Sequence, residues 1–206
     1  NTASITNSVA ITNSILLYNG ALSCGGTLTL GNGGTNSFAY TRGNGSHGSI
    51  TKTYGTGTNN FTYNGTSAQT TGSELPSSIS TGTLTINNSS GTGNGVTLNA
   101  ALSVDKLDMQ NGTLNSSSSN TLTISNTSYT AVTRTGGWVN GPMNRAIPYG
   151  LVYVDRNRIY LFPVGKSTYN GFEMVSPVTR NSATFTCNSG SLVNTSATVE
   201  AFDNPS

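Results

Sequence analysis

Charge is what this chain has least of. Only 8% of its 206 residues are Asp, Glu, Lys or Arg, and the formal net charge is +2; an average globular domain carries about 25%. That scarcity argues against nucleic acid as a partner, because a phosphate-binding face needs clustered Lys and Arg. It also argues against disorder: chains that stay unfolded combine low hydrophobicity with high net charge, and this one, 33% apolar, lacks the charge. Long hydrophobic runs are missing as well. The longest are pieces such as Ile15-Leu16-Leu17, far short of the roughly 18 residues of a membrane span. Cysteine is reduced to Cys24 and Cys187, and sequence leaves open whether they bridge in an oxidising compartment or stay small half-buried thiols. Aromatic rings are absent from Asn64 to Ser128. No initiator Met or signal peptide stands at Asn1, so the chain reads as a mature form or a fragment.

What is present is Thr, Ser, Asn and Gly, arranged with two regularities. Asn-Gly recurs at 19-20, 32-33, 44-45, 64-65, 94-95, 111-112, 140-141 and 170-171, and both residues tolerate positive φ, so each pair marks a tight turn or a corner. Between them "TLTL" at 27-30 and "TLTI" at 83-86 and 121-124 place aliphatics on one face and threonines on the other, the period of a strand. The stretch "NGALSCGGTLTL" at 19-30 matches "NGTLNSSSSNTLTI" at 111-124. Tandem strands joined by Asn-Gly corners predict a β-solenoid, in which coils stack, pair their backbones and bury a narrow aliphatic strip. The register places Leu28, Leu84 and Leu122 inside and Thr27, Thr83 and Thr121 outside.

Aromatics and prolines return after residue 129: Tyr129, Trp138, Tyr149, Tyr153, Tyr160 and Phe162 follow, and five of the six prolines lie there. Large rings suit the wide space between two sheets. The fold expected is therefore all-β, β-solenoid-like repeats over 1–132 followed by an antiparallel β-sandwich-like domain over 133–206, truncated at its C-terminal end. Within the second region "GLVYVDRNRIYLFPVG" reads as a hairpin around the polar tip Asp155 to Arg158.

Few residues offer chemistry. Asp105 and Asp108 are the nearest pair of carboxylates, but three apart on a strand they should face opposite ways, whereas glycoside hydrolysis needs two carboxylates across one substrate. His47 sits in a Gly-Ser stretch with nothing to make it a triad base. The turns lack the Asp-rich patterns of calcium sites. Thr-Leu-Thr units some 40 to 55 residues apart are too sparse for an ice-ordering array on consecutive coils. No catalytic residue, cofactor or metal site is expected. A ligand surface, if one exists, draws on Arg145, Arg156, Arg158, Tyr153 and Trp138, a mixture able to stack on sugars or hold acidic glycans; otherwise the same rings form a core and the arginines its solvated edge.

"FTYNGTSAQTTGSELPSSISTGTLTINNSSG" followed by "VTLNAALSVDKLDMQNGTLNSSSSNTLTI", and then "GGWVNGPMNR" and "YLFPVGK", resembles the repeat and following module of giant secreted surface proteins of Bacteroidota exported by type IX secretion, the gliding-adhesin kind. The matches cover most of 60–180. The resemblance implies a location outside the cell or on its surface, passage through the outer-membrane secretion machinery, a structural or adhesive role, and partners among surface glycans or neighbouring copies and domains of the same protein; it supplies no catalytic residues. The rival expectation is a carbohydrate-binding or spacer module of a secreted multidomain enzyme.

Overall fold

The computed structural model describes residues 2–31, 34–48, 51–91, 94–148, 158–175, 183–188 and 191–194. The chain winds into a parallel β-solenoid of about six turns. The first coil holds β1 (Thr2–Ile5), β2 (Val9–Ile11) and β3 (Ser14–Leu17), the second β4 (Ala21–Cys24), β5 (Thr27–Leu30) and β6 (Phe38–Arg42), and the third β7 (Ser46–His47), β8 (Thr51–Tyr54) and β9 (Asn59–Tyr63). Each strand pairs in parallel with its equivalent in the next coil, making three faces: β1-β4-β7, β2-β5-β8 and β3-β6-β9.

Later coils merge two faces into one long bent strand. β10 (Gln69–Thr70) is followed by β11 (Ser78–Asn87), and β12 (Val96–Thr97) by β13 (Leu102–Asn111); the next turn holds β14 (Thr113–Asn115), β15 (Leu122–Ile124) and β16 (Val132–Arg134). β13 pairs with β15 through its first half and with β16 through its second. Along β13 the buried positions are Leu102, Val104, Leu107 and Met109. The alternation is thus reset where the strand bends, so Asp105 and Asp108 both point outward instead of to opposite sides as expected. The corner consumes one extra residue, and period 2 does not survive it.

The alternation places Leu28, Leu84 and Leu122 wholly inside, each 0% exposed, with Thr27, Thr83 and Thr121 at the half-buried outer positions. The matched segments 19–30 and 111–124 each run from one short parallel-paired strand into another, β4 into β5 and β14 into β15. The interior is not purely aliphatic. Phe38, Tyr40, Phe61 and Tyr63 are buried in coils two and three.

Asn-Gly does mark the corners, for two physical reasons. Gly20 and Gly112 take φ of 87° and 77°, which only glycine adopts readily. Gly95 has no such φ, but a Cβ on it would run into the backbone carbonyl of Thr113 in the coil below, so here the small residue is needed for coil-to-coil approach.

Parallel pairing runs past residue 132: β17 (Trp138–Asn140) pairs with β14, and β18 (Met143–Ile147) with β15. The change to antiparallel pairing comes at β18, which is covered by β21 (Ala183–Asn188) and then β22 (Ser191–Asn194). β19 (Ile159–Phe162) pairs antiparallel with β20 (Phe172–Val175). The expected hairpin around 155–158 falls partly on residues outside those described; the described partner of Ile159–Phe162 is β20.

Candidate functional site

Of the five residues singled out for ligand binding, Tyr153 and Arg156 lie outside the described residues. Arg145 does not face a ligand. It sits on the inward side of β18 between Met143 and Ile147, 0% exposed, and its guanidinium donates to the carbonyl oxygens of Leu161 (2.5 Å), Ser128 (3.0 Å) and Tyr129 (2.8 Å). The rings of Tyr160 and Phe162 flank it, 5.0 and 5.9 Å from the guanidinium carbon. Burial pushes Arg145 down to about 10 from an ordinary 12.5. Arg145 therefore fastens the 3-10 turn at Tyr129–Ala131 and the hairpin strand β19 to the last coil, which removes it from the set of ligand candidates.

Trp138 is half-buried in β17, its indole N–H donating to the Lys166 carbonyl at 3.4 Å. Arg158 is half-buried, its guanidinium 5.8 Å from the ring of Tyr129. A second pair stands beside Trp138: Arg134 stacks at 3.6 Å on the ring of Tyr169 and also donates to the Gly137 carbonyl. Tyr129 and Tyr169 are 42% and 38% exposed. Ile159 and Val175, opposite each other across β19 and β20, are 43% and 63% exposed. These residues therefore present cation-backed tyrosines, among the residue types that dominate recognition hot spots, together with exposed aliphatics. The solenoid walls present hydroxyls and amides instead.

Those walls are cross-linked from coil to coil. Asn140 donates to Asn115 (3.0 Å) and Asn115 to Thr97 (3.3 Å), a ladder across three coils. Thr186, Asn144 and Thr123 form another. Asp105 accepts from Asn126 at 2.7 Å, and Asp108 from Thr133 and Gln110, both at 2.7 Å, so both carboxylates belong to the ladder system.

The one ion pair among the described residues was not foreseen. Glu74, 0% exposed, accepts from Arg42 at 3.0 Å and from the Tyr63 hydroxyl at 2.5 Å, while Tyr54 donates to its backbone carbonyl. Arg42 also donates to the carbonyls of Gly45 and Thr70. Burial, and then the Glu74 charge, push the phenols of Tyr63, Tyr40 and Tyr54 well above their ordinary value, so all three stay neutral and act as donors or packing. Beside it Gln69 and Asn88 form a buried amide link at 2.8 Å, and Gln69 also donates to the Gly43 carbonyl. Glu74 is closed to solvent, and its contacts with Arg42, Tyr54 and Tyr63 join the loop 71–77 to β6, β8 and β9, which makes the cluster a lock between coils. The signal available in sequence was that Glu74 is the lone charge between Lys52 and Asp105.

Next to Glu74 the loop 71–77 and the corner 98–102 enclose a cleft of about 260 Å³ walled by Leu75, Pro76, Leu98 and Ala101 with Thr71 and Asn99 at its edge. Thr71 and Asn99 are hydrogen-bonded to each other at 2.9 Å, which bridges the cleft. Cys24 and Cys187 are not joined in a disulfide, and burial raises Cys187 to about 11. His47 lies in β7. Among the described residues no three of His, Cys, Asp and Glu come together as a metal site would require, and no helix is long and apolar enough to cross a membrane.

No protein-family model, curated protein or solved structure matches the chain.

Proposed function

We propose that this chain is a non-catalytic structural or adhesive segment of a large bacterial surface protein, acting outside the cell as a stalk or adhesin unit. One observation carries the reading: Glu74 with Arg42 ties one coil to another, Arg145 fastens the hairpin strand to the last coil, and outward walls are bonded rung to rung by Thr, Asn and Asp. Such a rod resists extension, because pulling it apart breaks backbone ladders and side-chain ladders together. The resemblance to gliding-adhesin-like repeats supports the location and, through it, export by the type IX outer-membrane machinery. Surface glycans and neighbouring domains of the parent protein are its expected partners. Decisive for the location is labelling of intact cells with antibodies against the folded chain: labelling without permeabilisation is the expected outcome, and labelling only after lysis would sink the reading.

A second reading, a carbohydrate-binding module attached to a secreted enzyme, draws on the paired Arg134–Tyr169 and Arg158–Tyr129 surface. The two separate in a glycan-binding titration of the whole chain. Saturable binding to an acidic polysaccharide that weakens with salt and is lost in Arg134→Ala with Arg158→Ala favours the module, and no binding favours the stalk.

A further inference from the structure

Two corners of the chain are built alike. β6 ends on Arg42 and β16 on Arg134, and in each case the carbonyl of a glycine three residues on accepts the arginine's Nε, Gly45 at 2.8 Å and Gly137 at 2.7 Å. A ring from further along the chain lies by each guanidinium, Tyr63 at 5.9 Å from Arg42 and Tyr169 at 3.6 Å from Arg134. At Arg42 a carboxylate completes the corner, since Nη1 meets Glu74 Oε1 at 3.0 Å. At Arg134 the turn that supplies the ring, 164–170, holds no acidic residue, and Nη1 and Nη2 bond to none of the described residues. Neither nitrogen is among the buried unpaired atoms, so both reach solvent. The guanidinium is fixed all the same. Gly137, at φ 69°, stands so close to the Gly112 carbonyl of the preceding coil that a Cβ would overlap it, and Gly171 stands as close to the Tyr169 ring.

We propose that Arg134 is the anion-binding residue of a carboxylate site, and that its ligand is a uronic-acid unit of a surface polysaccharide. The inference rests on the carbohydrate-binding reading above and narrows it from an acidic glycan shared by two arginines to a carboxylate held by one. The chain itself shows which anion such a corner takes, because the same Nε grip at Arg42 turns Nη1 to the Glu74 carboxylate. With Nε engaged, Nη1 and Nη2 remain side by side at the spacing of two carboxylate oxygens. Held in advance by Gly137 and Tyr169, the side chain gives up little freedom on binding. Charge also favours an anion: the described residues between 131 and 172 include Arg134, Arg145, Arg158 and Lys166 but no Asp or Glu. Asp108, paired with Thr133 across the sheet, has its oxygens engaged by Thr133 and Gln110. The flanking side chains point to a sugar. Thr133, Thr135, Ser167, Thr168 and Asn170 are exposed, a set of hydroxyls and an amide that matches sugar hydroxyls, whereas protein interfaces have apolar cores depleted in Ser.

Trp138, the chain's single tryptophan, directly follows Gly137, so its indole N–H is an unambiguous magnetic-resonance probe beside the site. The test titrates the whole chain with trisaccharides of galacturonate, glucuronate and mannuronate in turn and follows that signal together with the Arg134 Nε–H. The expected result is a saturating shift with at least one of them, weakening as salt rises. Its dissociation constant should rise at least about tenfold for the methyl-esterified trisaccharide, which keeps the sugar and loses the charge, and by as much in Arg134→Gln. Arg134→Lys should restore only part of the affinity, since an ammonium cannot make the paired contact. Lys106→Gln, at an exposed position of β13, should bind as wild type does, and unchanged circular dichroism and melting show that each variant keeps its fold. Uronate binding that survives esterification or Arg134→Gln, or that only Arg158→Gln removes, overturns the assignment and leaves the carbohydrate-binding reading standing. So does a sulfated trisaccharide that binds where no uronate does. A triglutamate peptide bound as tightly as the uronates would make the partner an acidic protein segment and overturn the sugar. No shift with any acidic sugar overturns the inference and the carbohydrate-binding reading together.

Discussion

Replacing Arg145 by Met keeps most of the side-chain volume and the stem packed between Tyr160 and Phe162, and it removes the three bonds to Leu161, Ser128 and Tyr129. Hydrogen bonds from a charged donor contribute roughly 1.5–3 kcal/mol each. The gross loss is partly offset because the wild type bears the cost of burying a guanidinium with no carboxylate, which is several kcal/mol. The Ser128 carbonyl also keeps the Ala131 amide at 3.1 Å. The net expectation is a loss of about 2–4 kcal/mol in urea unfolding. Arg145→Lys should recover less than half of it, because one ammonium cannot span carbonyls fixed for a planar fork. The mutant loss should appear first as release of the β19–β20 hairpin, seen as faster amide exchange at Tyr160 and Phe162 while Leu84 and Ile86 stay protected. An Arg145→Met chain within about 0.5 kcal/mol of wild type would mean that the buried guanidinium is not what fastens the hairpin, and the structural assignment of Arg145 would fall.

Three further outcomes follow from the same packing. Leu122→Asp buries an unpaired carboxylate and should cost several kcal/mol, whereas Thr121→Asp on the outer side should cost under about 1; equal melting shifts would refute the register. Glu74→Leu strands the Tyr63 hydroxyl and leaves Arg42 with backbone partners alone, so it should cost about 3–5 kcal/mol, with Glu74→Gln losing clearly less because an acceptor remains; equal losses in urea unfolding would show that the carboxylate's acceptor role is not what matters. The pH dependence is alkaline. Phenols raised in the folded state stabilise fully below the unfolded value of 10 and lose that contribution above it, so Tyr40, Tyr54 and Tyr63 together cost about 4 kcal/mol per pH unit beyond pH 10. Cys187, raised from 9 to about 11, adds to the fall between those values, and Arg145, pushed down to about 10, acts the other way up to its ordinary 12.5, leaving a net fall of about 4 kcal/mol per unit to pH 11 and about 3 beyond it; Lys52, also pushed down by burial, opposes only up to its ordinary 10.5. Stability that stays level from pH 10 to 11.5 would contradict this.

How far the sequence could be read depended on what kind of contact fixed each residue. The Thr-Leu-Thr strands were legible because period 2 is a local property of an extended chain with one buried face. Coil length was not legible. Thr2, Ala21 and Ser46 are register neighbours 19 and 25 residues apart, and Gln69, Val96, Leu114 and Val139 are 27, 18 and 25 apart, so no fixed period exists to detect. Glu74 and Arg42 were missed because they meet across 32 residues from a loop and a strand end, a contact no local pattern encodes. Arg145 was different: Met143, Arg145 and Ile147 share the inward parity of β18, and the alternation that placed the leucines would have placed it too. Reading it as a surface charge let residue type override periodicity.

The central claim, that this chain is a rod held together coil to coil, is tested most directly by pulling on it from residues 2 and 148 in a single-molecule force measurement. Folded, about six coils at ~4.8 Å each span roughly 30 Å, while the same 147 residues drawn out reach roughly 500 Å. The account predicts an extension that stays near the folded length as force rises and then lengthens in steps of one or a few coils, each releasing roughly 60–100 Å. A chain that lengthens smoothly from the lowest forces, as a Gly/Ser linker of equal length does, would contradict it.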